Sequence, residues 1–269
     1  PVPAAEPAER ALARAKFPCV LKPLRLSASQ GVIRVNDAAE FRAGVARIAK
    51  LLASAEMQVT REPDLDRILA ESYIPGAEVA LEGLLGGGKL RVLALFDKPD
   101  PLEGPYFEES IYTTPSRLPA DVQARIFDCA QRTVAALGLT DGPLHAEFRV
   151  NDAGPWVLEA SPRPIGGLCS RVLRFGPDRI DLEELLVRNA VGLPGSDLGR
   201  ESSAAGVMMI PVPSSGILEE VKGEDLAAGA TGIEEIHITA RLHDYIAAWP
   251  DGSTYLGFIF ARAESPETV

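Results

Sequence analysis

The stretch GPLHAEFRVNDAGPWVLEASPRP, Gly142 to Pro164, sets carboxylates, an imidazole and guanidinium groups into two runs that are otherwise apolar. In the first run His145, Glu147 and Arg149 alternate with Leu144, Ala146, Phe148 and Val150. In the second, Glu159, Ser161 and Arg163 alternate with Trp156, Leu158 and Ala160. A period of two gathers each polar set on one face of a strand, and NDAG between the runs reads as a hairpin turn. With the loop Asp152-Ala153-Gly154, Glu147 stands directly opposite Glu159. Two carboxylates about 5 Å apart repel by about 3 kcal/mol at an effective dielectric of about 20, and like charges facing each other destabilise a sheet. Three arrangements relieve the pair: a divalent cation between them, Arg149 and Arg163 as counter-charges, or an edge strand whose carboxylates are hydrated. The hairpin alone does not choose among them.

The chain that must position these groups has 269 residues, 46% hydrophobic and 24% charged, the balance of a globular protein of one large or two ordinary domains. No apolar run approaches the roughly 18 to 20 residues of a membrane span, and no leader-like segment precedes the first strand, so a cytoplasmic location is expected. A net charge of −11 argues against a partner such as nucleic acid, which needs a basic stripe, yet leaves room for a local basic nucleotide site. Cys19, Cys129 and Cys169 are too widely spaced for a disulfide framework or a zinc site, and His237 and His243 lack metal-ligand spacing. GGGK, Gly86 to Lys89, joins two apolar runs and reads as a hairpin turn rather than a phosphate loop.

PCVLKPL and GVIRVN read as short strands joined by RLSASQ. Asp37 then caps a helix, with Glu40 completing a capping box and Phe41, Val45, Ile48 and Leu52 on one face, until EMQVTREPD breaks it. LAESYIPGAEVALEGLL is a strand interrupted at Pro75-Gly76, LRVLALFDK returns after the glycine turn, and FEESIYTTPS is a further strand. LPADVQARIFDCAQRTVAALG is a helix with Val122, Ile126, Ala130, Val134 and Leu137 inward and Gly138 as its stop. DLEELLVRNAVGL is a short helix. From about Ala204 short strands separated by turn residues predict a separate small β-rich unit, with the boundary in GLPGSDLGRESSA. AEPAERALARAK at the front and AESPETV at the end read as pieces of cut elements, as in a segment of a longer protein.

Four pieces in this order, VLKP with a small-residue loop and GV, then ESYIPGAE, FDK with FEES, and HAEF with LEASPRP, resemble the ATP-grasp superfamily, closest to its carboxylate–amine ligase branch, over Phe17 to Phe175. The resemblance implies an α+β fold: a small lid sheet and a larger antiparallel core sheet with helices, clamping a nucleotide, then a small β-rich C-terminal domain. It divides the chain into a linker or remnant at 1–16, lid at 17–72, core at 73–190 and C-terminal unit at 200–269.

The resemblance also implies roles. Lys22 is expected on the α- and β-phosphates of ATP, as a point charge on a flexible stem. Ser27 and Ser29 belong to the loop SASQGV that folds over the γ-phosphate, here less glycine-rich than usual in the family. Glu71 and the backbone of Ser72 to Ile74 meet adenine, and Glu78 accepts from the ribose hydroxyls. Lys98 neutralises the transferring phosphate. Glu147 and Glu159 are paired Mg²⁺ ligands, with Ser161 where the family carries asparagine. Arg163 holds the transferring phosphate or the substrate carboxylate, and His145 and Arg171 fall on the substrate side.

The activity so implied is an ATP- and Mg²⁺-dependent ligase that activates a small-molecule carboxylate as an acyl phosphate and joins it to an amine, as a monomer or homo-oligomer, with no nucleic acid and no membrane. The alternatives are an ATP-dependent carboxylase acting on bicarbonate and a nucleotide-binding module without turnover, for which Ser161 would be the mark. Because the resembled fold carries an α/β domain ahead of the lid, this chain alone is expected to bind nucleotide and to turn over feebly or not at all.

Overall fold

Alternate burial along Cys19–Pro23 starts the first sheet: Cys19, Leu21 and Pro23 turn inward while Val20 and Lys22 turn to the other face. The computed structural model describes residues 2–3, 8–59 and 63–269. Its first elements are β1 (Val2–Pro3), α1 (Ala8–Leu12), β2 (Cys19–Pro23), β3 (Ile33–Val35), α2 (Ala38–Leu52), α3 (Ala55–Val59) and β4 (Arg67–Ser72). The strands form an antiparallel sheet in the order β1-β4-β2-β3. Phe41, Ile48 and Leu52 of α2 pack on Leu21, Ile33 and Val35, closing a small core. Asp37 caps α2 through the Ala39 and Glu40 amides, but Glu40 reaches back to the Asn36 amide rather than to the cap residue. The segment expected to break α2 carries α3 instead up to Val59, and residues 60–62 of that segment lie outside the described residues.

The second sheet is built from β5 (Ala77–Gly86), β6 (Lys89–Asp97), β7 (Ile111–Thr114), β8 (Gly142–Asn151), β9 (Gly154–Ser161), β10 (Ala204–Ile210), β12 (Ile233–Ile238) and β14 (Gly257–Ala263). Their order is β12-β14-β10-β7-β6-β5-β8-β9. The short β11 (Gly216–Ile217) and β13 (Tyr245–Ile246) pair with each other. Thus three strands of the tail do not make a sheet of their own: β10 pairs with β7, which makes the β-rich tail continuous with the core sheet. FEES precedes β7 and stays outside the strand.

Parity decides what each face does. Val79, Leu81 and Leu85 of β5, Leu95 of β6, and Leu144, Ala146 and Phe148 of β8 face α4 (Ala120–Leu137). α4 buries Ile126, Ala130 and Val134 and ends at Gly138 in the left-handed region, whereas Leu137, expected inward, is exposed. The opposite face packs Ala80, Leu84, Ala94, Phe96 and Tyr112 under the helical turn Cys169–Val172, α5 (Leu182–Ala190) and the strands of the tail; α6 (Glu224–Ala228) lies beyond, beside β12. Glu78, Glu82, Lys98, His145, Glu147 and Arg149 share that second parity. The two sheets join at Pro75-Gly76. Gly76 has φ +128°, and a Cβ there would stand 2.2 Å from the Val150 carbonyl oxygen, so only glycine lets the connection pass so close to β8.

Candidate active site

A cleft of about 560 Å³ lies between the sheets, within the range of small-molecule sites. On the lid side it is walled by Val20, Lys22, the turn containing Ser27 and Ser29, and Glu71 to Ile74. Facing these are Glu78, Phe107, Glu147, Arg149 and β9 with Glu159, Ser161 and Arg163. Every residue given a site role from the sequence therefore meets around one cavity except Lys98, His145 and Arg171.

On the lid, Lys22 Nζ pairs with Glu71 at 2.5 Å. Both side chains are partly exposed, so the contact is worth little to stability and is easily traded for a ligand. In the turn above them Ala28 and Ser29 have φ near +53° and +52°, the left-handed region that non-glycine residues rarely enter. Successive residues in such a turn aim backbone N–H groups to one side, the arrangement that receives anions. At the connection, Tyr73 is held between Arg34, whose guanidinium sits 4.0 Å from the ring centre, and Arg149, which donates to the Tyr73 hydroxyl at 2.9 Å. Arg149 also donates to the Ile74 carbonyl at 3.1 Å, which fixes the backbone between lid and core.

The Glu147–Glu159 pairing is present, by a different route from the one expected. The loop has two residues, Asp152 and Ala153, with Asn151 opposite Gly154; a bulge between Glu147 and Phe148 then shifts the register and returns Glu147 to Glu159 and His145 to Ser161. Leu158 is the residue left over. The two carboxylates live in different surroundings. Glu159 is half exposed, with Arg163 at 3.5 Å. Glu147 is nearly buried, and its Oε1 accepts from Lys98 Nζ at 3.1 Å and from His145 Nε2 at 3.3 Å. Burial would raise its pKa, but Lys98 and His145 prevail and hold it well below the carboxylate range.

Lys98, expected at the γ-phosphate, is 3% exposed and lies behind Glu78 and Glu147. It bonds Glu78 at 2.8 Å, Glu147 at 3.1 Å and Glu109, and faces the Tyr112 ring at 5.2 Å. Burial disfavours its charge, but Glu109, Glu147 and Glu78 outweigh that and keep it protonated. Glu78, Glu109 and Glu147 bring oxygens within 4.8 Å of one another, a spacing that suits a metal, yet the Lys98 ammonium already fills the space between them. Glu78 reaches the cleft with one oxygen on Lys98 and the other on Arg149 at 2.9 Å, so a ribose hydroxyl would have to use its remaining lone pairs.

Neither His145 nor Arg171 lines the cleft. Arg171 turns to Glu235 in the tail at 2.6 Å. His145 is buried between Glu82 and Glu147. Burial alone would lower its pKa, but the two carboxylates raise it to about 9 from 6.5. The proton is thus held more tightly in the folded chain, and its contribution is fully present below pH 6.5 and fades as pH rises to about 9. A shift of this size corresponds to roughly 3 kcal/mol. Urea denaturation across that window should show stability falling with pH, and His145→Asn should flatten the slope; parallel slopes would contradict the assignment.

For a divalent metal the donors fit: Glu147 Oε2 has no hydrogen bond among the described residues, Glu159 faces Glu147 across the strands, and the Ser161 hydroxyl is one step further on, all hard oxygen ligands of the type Mg²⁺ takes. Four carboxyl groups, Glu78, Glu82, Glu109 and Glu147, surround three basic groups, Lys98, His145 and Arg149, at the buried floor, and burial raises the pKa of Glu82 and Glu109.

Two family models match the chain: an ATP-grasp domain over residues 15–172 and an L-amino acid ligase C-terminal domain 2 over residues 208–269. The crystal structure of L-amino acid ligase from Bacillus licheniformis is similar over 94% of this chain and 61% of that one, with TM-score 0.79 and 29% identity. Carnosine synthase 1 of Gallus gallus is 33% identical over 66% of this chain and 19% of its own length. D-alanine–D-alanine ligase of Bordetella petrii is 30% identical over 56% of this chain and 44% of its own length. The chain spans less than half the length of the curated relatives it matches.

Proposed function

The chain belongs to the ATP-grasp family, and from that premise we propose that it binds ATP with Mg²⁺ and uses it to join a carboxylate to an amine. The observation that carries this reading is the Glu147–Glu159 pair, face to face in a cleft whose other wall presents Lys22. Lys22 binds the α- and β-phosphates and exchanges its Glu71 partner for them. The Ser27–Ser29 turn closes over the γ-phosphate with its amides, while Glu71 and the backbone from Ser72 to Ile74 receive adenine.

In the first step a carboxylate oxygen attacks the γ-phosphorus and the bond to ADP breaks, giving an acyl phosphate. In the second the amine displaces phosphate from the acyl carbon and loses a proton. Arg163, half exposed and paired among the described residues only with Glu159 and the Pro164 carbonyl, is free to hold the transferring phosphoryl oxygens. Magnesium, held by Glu147, Glu159 and Ser161, would supply charge neutralisation on the β- and γ-phosphates. Lys98 acts from behind, setting the charge and position of Glu147 without touching substrate. Amino acids are the substrate class, in keeping with the L-amino acid ligase match of the tail and with the relatives named for joining alanine.

Two measurements test the reading. Mg-ATP at 100 times its dissociation constant should stabilise the chain by about 2.7 kcal/mol in a thermal-shift titration, and ATP without metal should do much less. ADP release that rises with pooled amino acids then tests the joining, measured on this chain and on a chain extended toward the length of its relatives, because this one spans less than half of theirs. Absence of any shift at millimolar Mg-ATP would overturn nucleotide binding, and a shift without ADP release from the extended chain under any amino-acid pair would favour a binding module without turnover.

A further inference from the structure

Glu82 and His145 have side chains 2% and 4% exposed, yet neither lines the cleft. A carboxylate and an imidazole so deep in a sheet core are costly unless their bonds are complete, and here the bonds run in one line. Glu82 Oε2 accepts the Ile165 amide at 3.0 Å, Glu82 Oε1 takes His145 Nδ1, and His145 Nε2 donates to Glu147 Oε1 at 3.3 Å. One end of the line is the segment just after β9, two residues past Arg163. The other end is Glu147. Lys98 donates to the same oxygen of Glu147, so both donors converge on Oε1 and Oε2 has no hydrogen bond among the described residues, while Glu147 itself lines the cleft.

We propose that Glu82 and His145 are positioning residues that tie Glu147 to the Arg163 segment, holding the free oxygen of Glu147 and the Arg163 guanidinium in one fixed relation. The inference rests on the reading of Glu147 as a magnesium ligand and extends it to two residues that touch neither metal nor nucleotide. The hairpin pairing between β8 and β9 ends at Ser161, short of that segment, and its register shifts beside Glu147. The buried bridge from β5 reaches Glu147 and that segment alike. Partners behind a metal ligand typically change metal affinity or activity 10- to 100-fold when removed. A pair that merely fills the core would lower stability and every kind of ligand binding alike.

The experiment uses calorimetric titration of the chain with ADP in chelator and with ADP plus Mn²⁺. His145→Ala should weaken Mn-dependent ADP binding by about 10- to 100-fold, leave metal-free ADP binding within about twofold, and regain affinity when millimolar imidazole fills the site. Glu82→Gln keeps the volume and an acceptor for the Ile165 amide, and should show a smaller loss of the same kind even where His145→Ala folds poorly. Equal losses with and without metal, or no loss in either variant, would overturn the inference while leaving the magnesium reading intact. A wild-type chain whose ADP binding ignores Mn²⁺ would overturn both.

Discussion

Lys98→Met should cost on the order of 3 to 5 kcal/mol of folding free energy, the penalty for removing one partner from a buried ionic cluster. The methionine fills much of the same volume, so the loss is electrostatic. Of the three carboxylates left behind, Glu78 keeps Arg149 and Glu147 keeps His145. Glu109 has no other cation partner among the described residues. Burial already lifts the Glu109 pKa even with the ammonium in place, and the nearby Glu147 charge lifts it further. The stranded group is therefore Glu109, and Lys98→Met combined with Glu109→Gln should recover a large part of the loss. The deficit of the single variant should also narrow as pH falls, because protonation of Glu109 relieves it. Urea denaturation at matched m-values reads both effects. A double variant no more stable than Lys98→Met would mean that Lys98 serves Glu78 or Glu147 first, and a single variant as stable as wild type would remove the cluster from any account of the fold.

What made the core sheet legible in advance was parity. Leu144, Ala146 and Phe148 could be assigned to one face of β8, and His145, Glu147 and Arg149 to the other, from their spacing alone, and the structure keeps both sets. The Glu147–Glu159 register came out right for the wrong local reason. A three-residue loop and a two-residue loop with a bulge at Leu158 give the same pairing at Glu147, and nothing in NDAGPWVLE distinguishes them, since a bulge is set by how the strand twists against its neighbours.

Lys98 shows a different limit. Its position at the end of β6 was readable, but Glu78, Glu109 and Glu147 reach it from 20, 11 and 49 residues away. That convergence is a property of strand order, not of any local pattern. Glu82 did leave a signal. It is the one charged residue inside the run VALEGLL, a strand buried on both faces, and a buried carboxylate demands partners. What that signal could not supply was His145 and the Ile165 amide as those partners. The tail strands read correctly as short and turn-bounded, but short strands carry no mark of which sheet edge they join, and β10 joins β7.

Glu159→Gln and Glu147→Gln should separate ligand chemistry from fold energetics. Both lie on one cross-strand pair, so both should lose metal-dependent nucleotide binding; since removing a partner behind a ligand already costs 10- to 100-fold, loss of a ligand itself should cost about 100-fold or more. Their stabilities should part. Glu159 is half exposed and its one ion pair among the described residues is with Arg163 at 3.5 Å, so its amide relieves the facing repulsion and leaves the unliganded chain within about 0.5 kcal/mol of wild type or slightly above it. Glu147 is the anion for Lys98 and His145, and its amide leaves two buried cations under-compensated at a cost on the order of 3 kcal/mol. Calorimetry with Mg-ADP and denaturation of the same samples test both halves together. Wild-type metal dependence in Glu159→Gln would place the magnesium elsewhere, whereas outright unfolding of Glu159→Gln would make the pair structural, neutralised by Arg163 rather than by a metal.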